Sequence, residues 1–106
     1  MKEGVEKVKQ YQDLCFHIGN CYYRTKDYEK AIEYFSRKFE GEELKQQGQK
    51  FNNLGSCYAH LDQPRLSLSY YTEAFKVYSQ FSEIDCSNLL NNLGTLYAQS
   101  GMYETG

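Results

Sequence analysis

Tryptophan is absent, proline occurs once, and no two cysteines stand in a Cys-x-x-Cys arrangement. Each shortage excludes something. With only Pro64 to interrupt it, and few consecutive β-branched residues, the chain favours helix over strand. No apolar run approaches the roughly 20 residues that cross a bilayer, and "MKEGVEKVKQ" lacks the apolar centre of a signal peptide. Positive charge is not in excess either: the net charge is −2 and the basic residues are scattered, so no electrostatic footprint for nucleic acid is present. The four cysteines, Cys15, Cys21, Cys57 and Cys86, lack the spacing of a disulfide framework and are expected as reduced thiols in a cytoplasmic protein. Neither a Ser/Cys–His–acid grouping nor a glycine-rich phosphate loop occurs, so no enzyme and no cofactor is expected.

What the chain does contain is aromatic residues, 11 tyrosines and 6 phenylalanines, and a phrase written more than once. "NNLG" occurs in "FNNLGSCYAH" (51–60) and again in "LLNNLGTLYAQ" (89–99). Aligned on glycine, three windows match: Gly19, Gly55 and Gly94, separated by 36 and 39 residues. An apolar residue lies four before each (Cys15, Phe51, Leu90) and one before each (Ile18, Leu54, Leu93), and a tyrosine three after (Tyr22, Tyr58, Tyr97). That spacing is one face of an α-helix, with glycine where a neighbouring helix comes close. Cys21 and Cys57 share a repeat position, which favours core packing for both.

A polar break follows each tyrosine ("RTKD", "HLDQ", "QSG"), and then a second helical pattern begins. The first such pattern is Tyr28, Ala31, Ile32, Phe35 and Phe39 with Asp27 as N-cap; the second is Leu68, Tyr71, Ala74, Phe75 and Tyr78, opened by Pro64 at the first helical position. Helices are predicted over about 4–25, 27–40, up to 61 after a break at Gly41 or Gly48, 64–80 and 86–99, the last capped by Ser82 or Asp85. The fold class is all-α: about five helices in an array of antiparallel hairpins, each burying its face on the next.

These residues resemble the tetratricopeptide repeat family. The family's helix-A packing pattern falls on Cys15, Ile18, Gly19 and Tyr22, on Phe51, Leu54, Gly55 and Tyr58, and on Leu90, Leu93, Gly94 and Tyr97. Its helix-B positions fall on Ala31 and Phe35, and on Ser67, Tyr71 and Ala74. Lys38 departs from the pattern, the closing prolines are missing, and both spacings exceed the roughly 34 residues usual for the family. The longer spacing is similar to a sub-group that includes kinesin light chains, spindle-orientation adaptors and bacterial peptide-sensing regulators. The resemblance implies one domain, 1–106, with repeats at about 12–45 and 48–81 and a partial third at about 87–106, wound into a right-handed superhelix.

The resemblance further implies a protein-interaction scaffold or adaptor whose concave groove takes a peptide or partner segment. Groove positions map to Asp13, Phe16, His17, Asn20, Tyr23 and Arg24, to Gln49, Asn52, Asn53, Ser56 and His60, and to Asn88, Asn91, Asn92, Thr95 and Gln99. A carboxamide offers two donors and an acceptor, so Asn20, Asn52, Asn53, Asn91 and Asn92 suit a ladder along a peptide backbone, with Asn53 and Asn92 foremost. The bland alternative is that they only solvate an exposed helix face. A two-carboxylate clamp is disfavoured, since Phe16, Asn88 and Asn92 stand where cations are required. His17 with Cys21 and Cys57 with His60 have ligand-like spacing but not the four ligands of a closed zinc site, so no metal is expected. Tyr22, Tyr58, Tyr71, Tyr78 and Tyr97 are assigned to the core, and Tyr23, Tyr34 and Tyr70 to exposed anchors. "KDYEK" and "EGEELKQQ" are assigned to solvated faces.

"SGMYETG" supplies a turn and the opening of a further helix, so the chain is expected to be a segment of a longer array. Its fifth helix would expose Leu93, Leu96 and Tyr97, through which copies can pair. A self-assembly segment, or the sensor part of a peptide-responsive regulator, is therefore the alternative function.

Overall fold

A computed structural model describes residues 2–39, 41–81 and 86–100, with the side chains of 2–6, 8, 99 and 100 left aside. The expectations for Ser82, Asp85 and the tail beyond 100 lie outside the described residues, as does that for the Gln99 side chain. Five helices follow one another: α1 (Lys2–Arg24), α2 (Tyr28–Phe35), α3 (Leu44–His60), α4 (Pro64–Tyr78) and α5 (Ser87–Ser100). Among the described residues there is no strand, so the chain is all-helical as the periodicity predicts.

The two hairpin turns are built alike. In the first, the Asp27 amide donates to the Tyr22 carbonyl (2.9 Å) and the Lys26 amide to that of Tyr23 (3.0 Å). In the second, Gln63 donates to Tyr58 (2.9 Å) and Asp62 to Ala59 (3.2 Å). This pair of bonds closes the last turn of a helix through a left-handed residue, here Lys26 (φ 67°) and Asp62 (φ 59°). Asp27 then caps α2 by accepting from the Lys30 amide, and Pro64 opens α4 at its first turn.

Helix α2 stops at Phe35, short of the predicted residue 40. Lys50 explains the early stop: its ammonium reaches back from α3 to the Arg37 carbonyl, bonds Glu42 Oε2 at 2.8 Å and lies over the Phe39 ring. Those bonds tie residues 36–39 and 41–43 to α3, with a left-handed backbone at Gly41 (φ 75°). Glu42 therefore does not belong to a solvated face: the pair's side chains are only 7% and 11% exposed. Nor does Gly48 break the chain. It is buried inside α3, where an added Cβ would meet Val77 at 2.8 Å and Tyr78 at 2.9 Å.

The core is two clusters in series. Ala31, Phe35, Leu54 and Cys57 join the first hairpin to α3. Tyr71, Ala74, Val77, Tyr78, Leu89 and Leu96 join the second hairpin to α5. Each second helix thus lies between two first helices, the nearest-neighbour stacking of a repeat array. The 16-residue offset between glycine and aromatic recurs: Phe35 covers Gly19 and Tyr71 covers Gly55, each ring less than 3.0 Å from where a Cβ would stand. Burying a ring of this size contributes roughly 2–3 kcal/mol.

Several core assignments shift once neighbours are in place. Cys57 is buried by α2, whereas Cys21 is exposed because no described helix covers that side of α1. Phe75 is 40% exposed and Val77 is buried in its stead. In α5, Leu89 and Leu96 are buried against α4 while Leu90 (52%) and Tyr97 (36%) are exposed; Leu93 is half-buried. The predicted exposure of Leu96 is thus overturned, and so is the burial of Tyr97. Tyr34 and Tyr70 are not free anchors: they stack on Tyr22 (5.8 Å) and Tyr58 (5.5 Å), equivalent pairs in the two hairpins. Their partners Tyr22 and Tyr58 are half-buried at the edge of the core.

Candidate functional site

One face of the stack is lined by the first helices of successive hairpins. There, α1 contributes Tyr23, α3 contributes Ser56, Ala59 and His60, and α5 contributes Asn92, Thr95 and Leu96 around a cleft of about 300 Å³, with Tyr71 of α4 beneath. The 36- and 39-residue spacings bring these together: helices two apart in sequence present equivalent positions side by side, so Ser56 and Thr95, 39 residues apart, both line the cleft.

The cleft's polar groups form a connected set. The Tyr23 hydroxyl hydrogen-bonds His60 Nε2 at 3.2 Å, and His60 stacks on Tyr28 with centroids 4.5 Å apart and planes 3° from parallel. Tyr23 meets both rings edge-on, which ties the end of α3 to the first hairpin. Ser56 Oγ and the Tyr71 hydroxyl are 2.9 Å apart. Ser67 Oγ donates to the Gly55 carbonyl (2.7 Å), satisfying a buried hydroxyl below the floor.

Burial pushes the Tyr23 and Tyr71 hydroxyls above their ordinary pKa, and hydrogen bonds with Ser56 only partly offset this. Both therefore stay protonated at neutral pH. Phenols, alcohols, a carboxamide and an imidazole line the cleft, and no carboxylate, Lys or Arg is among its lining residues. Such a set donates to and accepts from main-chain amides and offers nothing to hold a free carboxylate.

Of the residues predicted for the groove, Tyr23, Ser56, His60, Asn92 and Thr95 line this cleft. Asn92 Nδ2 donates to Asn52 Oδ1 (3.3 Å), across from α5 to α3. Asn52 also hydrogen-bonds the Tyr78 hydroxyl, whose pKa is raised by burial and partly restored by that bond. Asn20 and Asn53 are half-buried on α1 and α3, Asn91 and Arg24 are exposed, and none of these four lines the cleft. Sequence reasoning missed Tyr71, Ala59 and Leu96 as cleft residues and Tyr28 as the support of His60. Tyr71 carried a signal, since the same ring that fills the Gly55 position also ends in a polar tip.

A second cavity, about 310 Å³, lies between α2, α3 and α4, lined by Phe35, Phe39, Phe51, Leu54 and Tyr70 with Lys50 and Glu42. Among the described residues no group of three or more His, Cys, Asp or Glu is placed to hold a metal ion. No helix among them is long and apolar enough to cross a membrane.

The family model of the tetratricopeptide repeat matches residues 12–37, which cover the second half of α1, the turn, α2 and the start of the following loop. No curated protein and no solved structure matches the chain. The matched segment is similar to a repeat that builds protein-interaction modules, and it coincides with the first hairpin found in the structure.

Proposed function

We propose that this chain, with its tetratricopeptide-type repeat, is a non-enzymatic interaction module that binds an extended, uncharged peptide segment in the cleft between α1, α3 and α5. One observation carries the reading: three successive first helices converge on a single cleft lined by hydrogen-bonding groups of no fixed charge. An extended strand laid across them meets a polar group from each helix in turn. Asn92 and His60 contact its backbone, and Asn52 holds the Asn92 carboxamide in place. Asn20, Asn53, Asn91 and Arg24 lie on the same three first helices and would meet the ends of a longer segment. Leu96 and Ala59 give an apolar patch that accepts one small side chain. The right-handed curvature implied by the family resemblance would wrap such a segment.

Panning a display library of random 12-residue peptides tests this. Enriched peptides are expected to perturb the amide resonances of Ser56, His60, Asn92 and Thr95, and to bind Asn92→Ala or His60→Ala at least about fivefold more weakly, the loss of one or two net hydrogen bonds. Peptides that bind both variants unchanged, or whose resonance shifts lie elsewhere, would refute the reading.

A further inference from the structure

The interface between the first two hairpins is filled differently from the one that follows it. At the second interface, Ala74, Val77 and Tyr78 of α4 are buried in one cluster with Leu89 of α5. The repeat spacings of 36 and 39 residues put Lys38, Gly41, Glu42 and Lys50 at the corresponding positions of the first interface. Buried core residues are thus replaced by a glycine and three charged groups. Helix α2 also ends after 8 residues, where α4 runs for 15. The cavity of about 310 Å³ between α2, α3 and α4 is the space these replacements leave open.

Its apolar lining is aromatic apart from Leu54: Phe35, Phe39, Phe51 and Tyr70. Phe51 and Tyr70 stand 6.2 Å apart with their planes inclined by 31°. The polar lining is Lys50, Glu42 and Gln47, with Lys38 and Ser36, both exposed, marking the opening. Glu42 is committed to Lys50 at 2.8 Å, and both side chains are largely enclosed. Lys38 forms no ion pair among the described residues. Two cations against one carboxylate leave the lining with a single positive charge in excess. The volume is at the lower end of the roughly 300–1,000 Å³ of small-molecule sites, which suits a ligand of one or two rings.

We propose that this cavity binds a small aromatic acid carrying one carboxylate. Its ring system enters beside Phe39, Phe51 and Tyr70, edge-on or offset against them, as aromatic groups pack. Its carboxylate accepts from the Lys38 ammonium at the opening, while Lys50 stays with Glu42. The two cations and two carboxylates then balance. The cavity shares no lining residue with the cleft between α1, α3 and α5, so this second site stands or falls independently of the peptide reading.

2-Naphthoate is the probe, titrated into the 106-residue chain and followed in amide correlation spectra. Saturable shifts are expected at Lys38, Gln47, Lys50 and Phe51, with a dissociation constant of about 0.1–1 mM, ordinary for so small a ligand. Lys38→Gln, an exposed change, weakens the acid by about threefold to fivefold, the worth of one exposed ion pair. The same variant leaves binding of 2-naphthamide, the uncharged analogue, unchanged. Phe39→Ala removes part of the wall and weakens acid and amide alike by about fivefold or more. Its helical circular dichroism signal is unchanged, because Phe39 lies outside the helices. Shifts that do not saturate, or that centre on Ser56, His60 and Asn92, overturn the proposal. So does an amide that binds the parent as tightly as the acid, or decanoate binding more tightly than 2-naphthoate, which would assign the cavity to an alkyl chain.

Discussion

Alanine placed at Gly55 and at Gly94 should change stability in opposite directions, although the two glycines hold the same repeat position. At Gly55 a Cβ would stand 2.5 Å from Cδ1 and 2.6 Å from Cε1 of Tyr71. That ring cannot swing aside: it is 3% exposed, and its hydroxyl is held by Ser56 at 2.9 Å. Overpacking of this kind costs about 1–3 kcal/mol, and the upper half of that range applies because the obstruction is a buried aromatic ring. Loosening the Ser56 bond adds about 1 kcal/mol. Replacing glycine by alanine in a helix recovers about 1 kcal/mol. Gly55→Ala is therefore destabilised by about 2–3 kcal/mol net. Gly94→Ala meets nothing within 4 Å among the described residues and keeps only the propensity gain, about 1 kcal/mol of stabilisation.

Urea unfolding followed by far-ultraviolet circular dichroism measures both. The midpoints should move apart, with Gly55→Ala below the parent and Gly94→Ala above it, while the denaturant slope is unchanged. In thermal unfolding each kcal/mol corresponds to roughly 4–8 °C for a domain of about this size. A Gly55→Ala variant as stable as the parent, or a Gly94→Ala variant that loses stability equally, would show that the aromatic-over-glycine contact does not set the register of the hairpins.

Two further outcomes rest on buried groups. Glu42→Gln leaves the Lys50 ammonium enclosed without its charge partner, so a loss of about 3–5 kcal/mol is expected in chemical denaturation; Glu42→Leu with Lys50→Met should regain most of it, and a single variant no less stable than the double would contradict the pairing. Burial pushes the Cys57 thiol up from 9.0 to about 12, so the folded chain keeps a proton that the unfolded chain releases across that interval. Stability from this group is complete below pH 9 and is lost as pH rises towards 12; Cys57→Ala should flatten the alkaline decline, and a thiol reagent at neutral pH should label exposed Cys21 well before Cys57.

Much of the architecture could be read without coordinates, because the repeat fixes it locally. Glycine in a helical stripe, a tyrosine three residues on and a polar break announce a hairpin twice and half of a third. Asp27 and Pro64 mark helix starts through their own side-chain chemistry, so no distant residue is needed to predict them.

Only the tertiary structure decided the rest. Whether Leu89 or Leu90 is buried depends on which side of α5 meets α4, and helical periodicity alone leaves both open. The end of α2 was set by Lys50, 15 residues further on, whose bonds to Arg37 and Glu42 outcompete another helical turn. Asn52 and Asn92 are 40 residues apart, and their mutual bond exists because α5 settles beside α3. Gly19, Gly55 and Gly94 look alike as letters. Packing makes the first two floors beneath rings, while no described residue lies over the third, since what a glycine does depends on the helix laid over it.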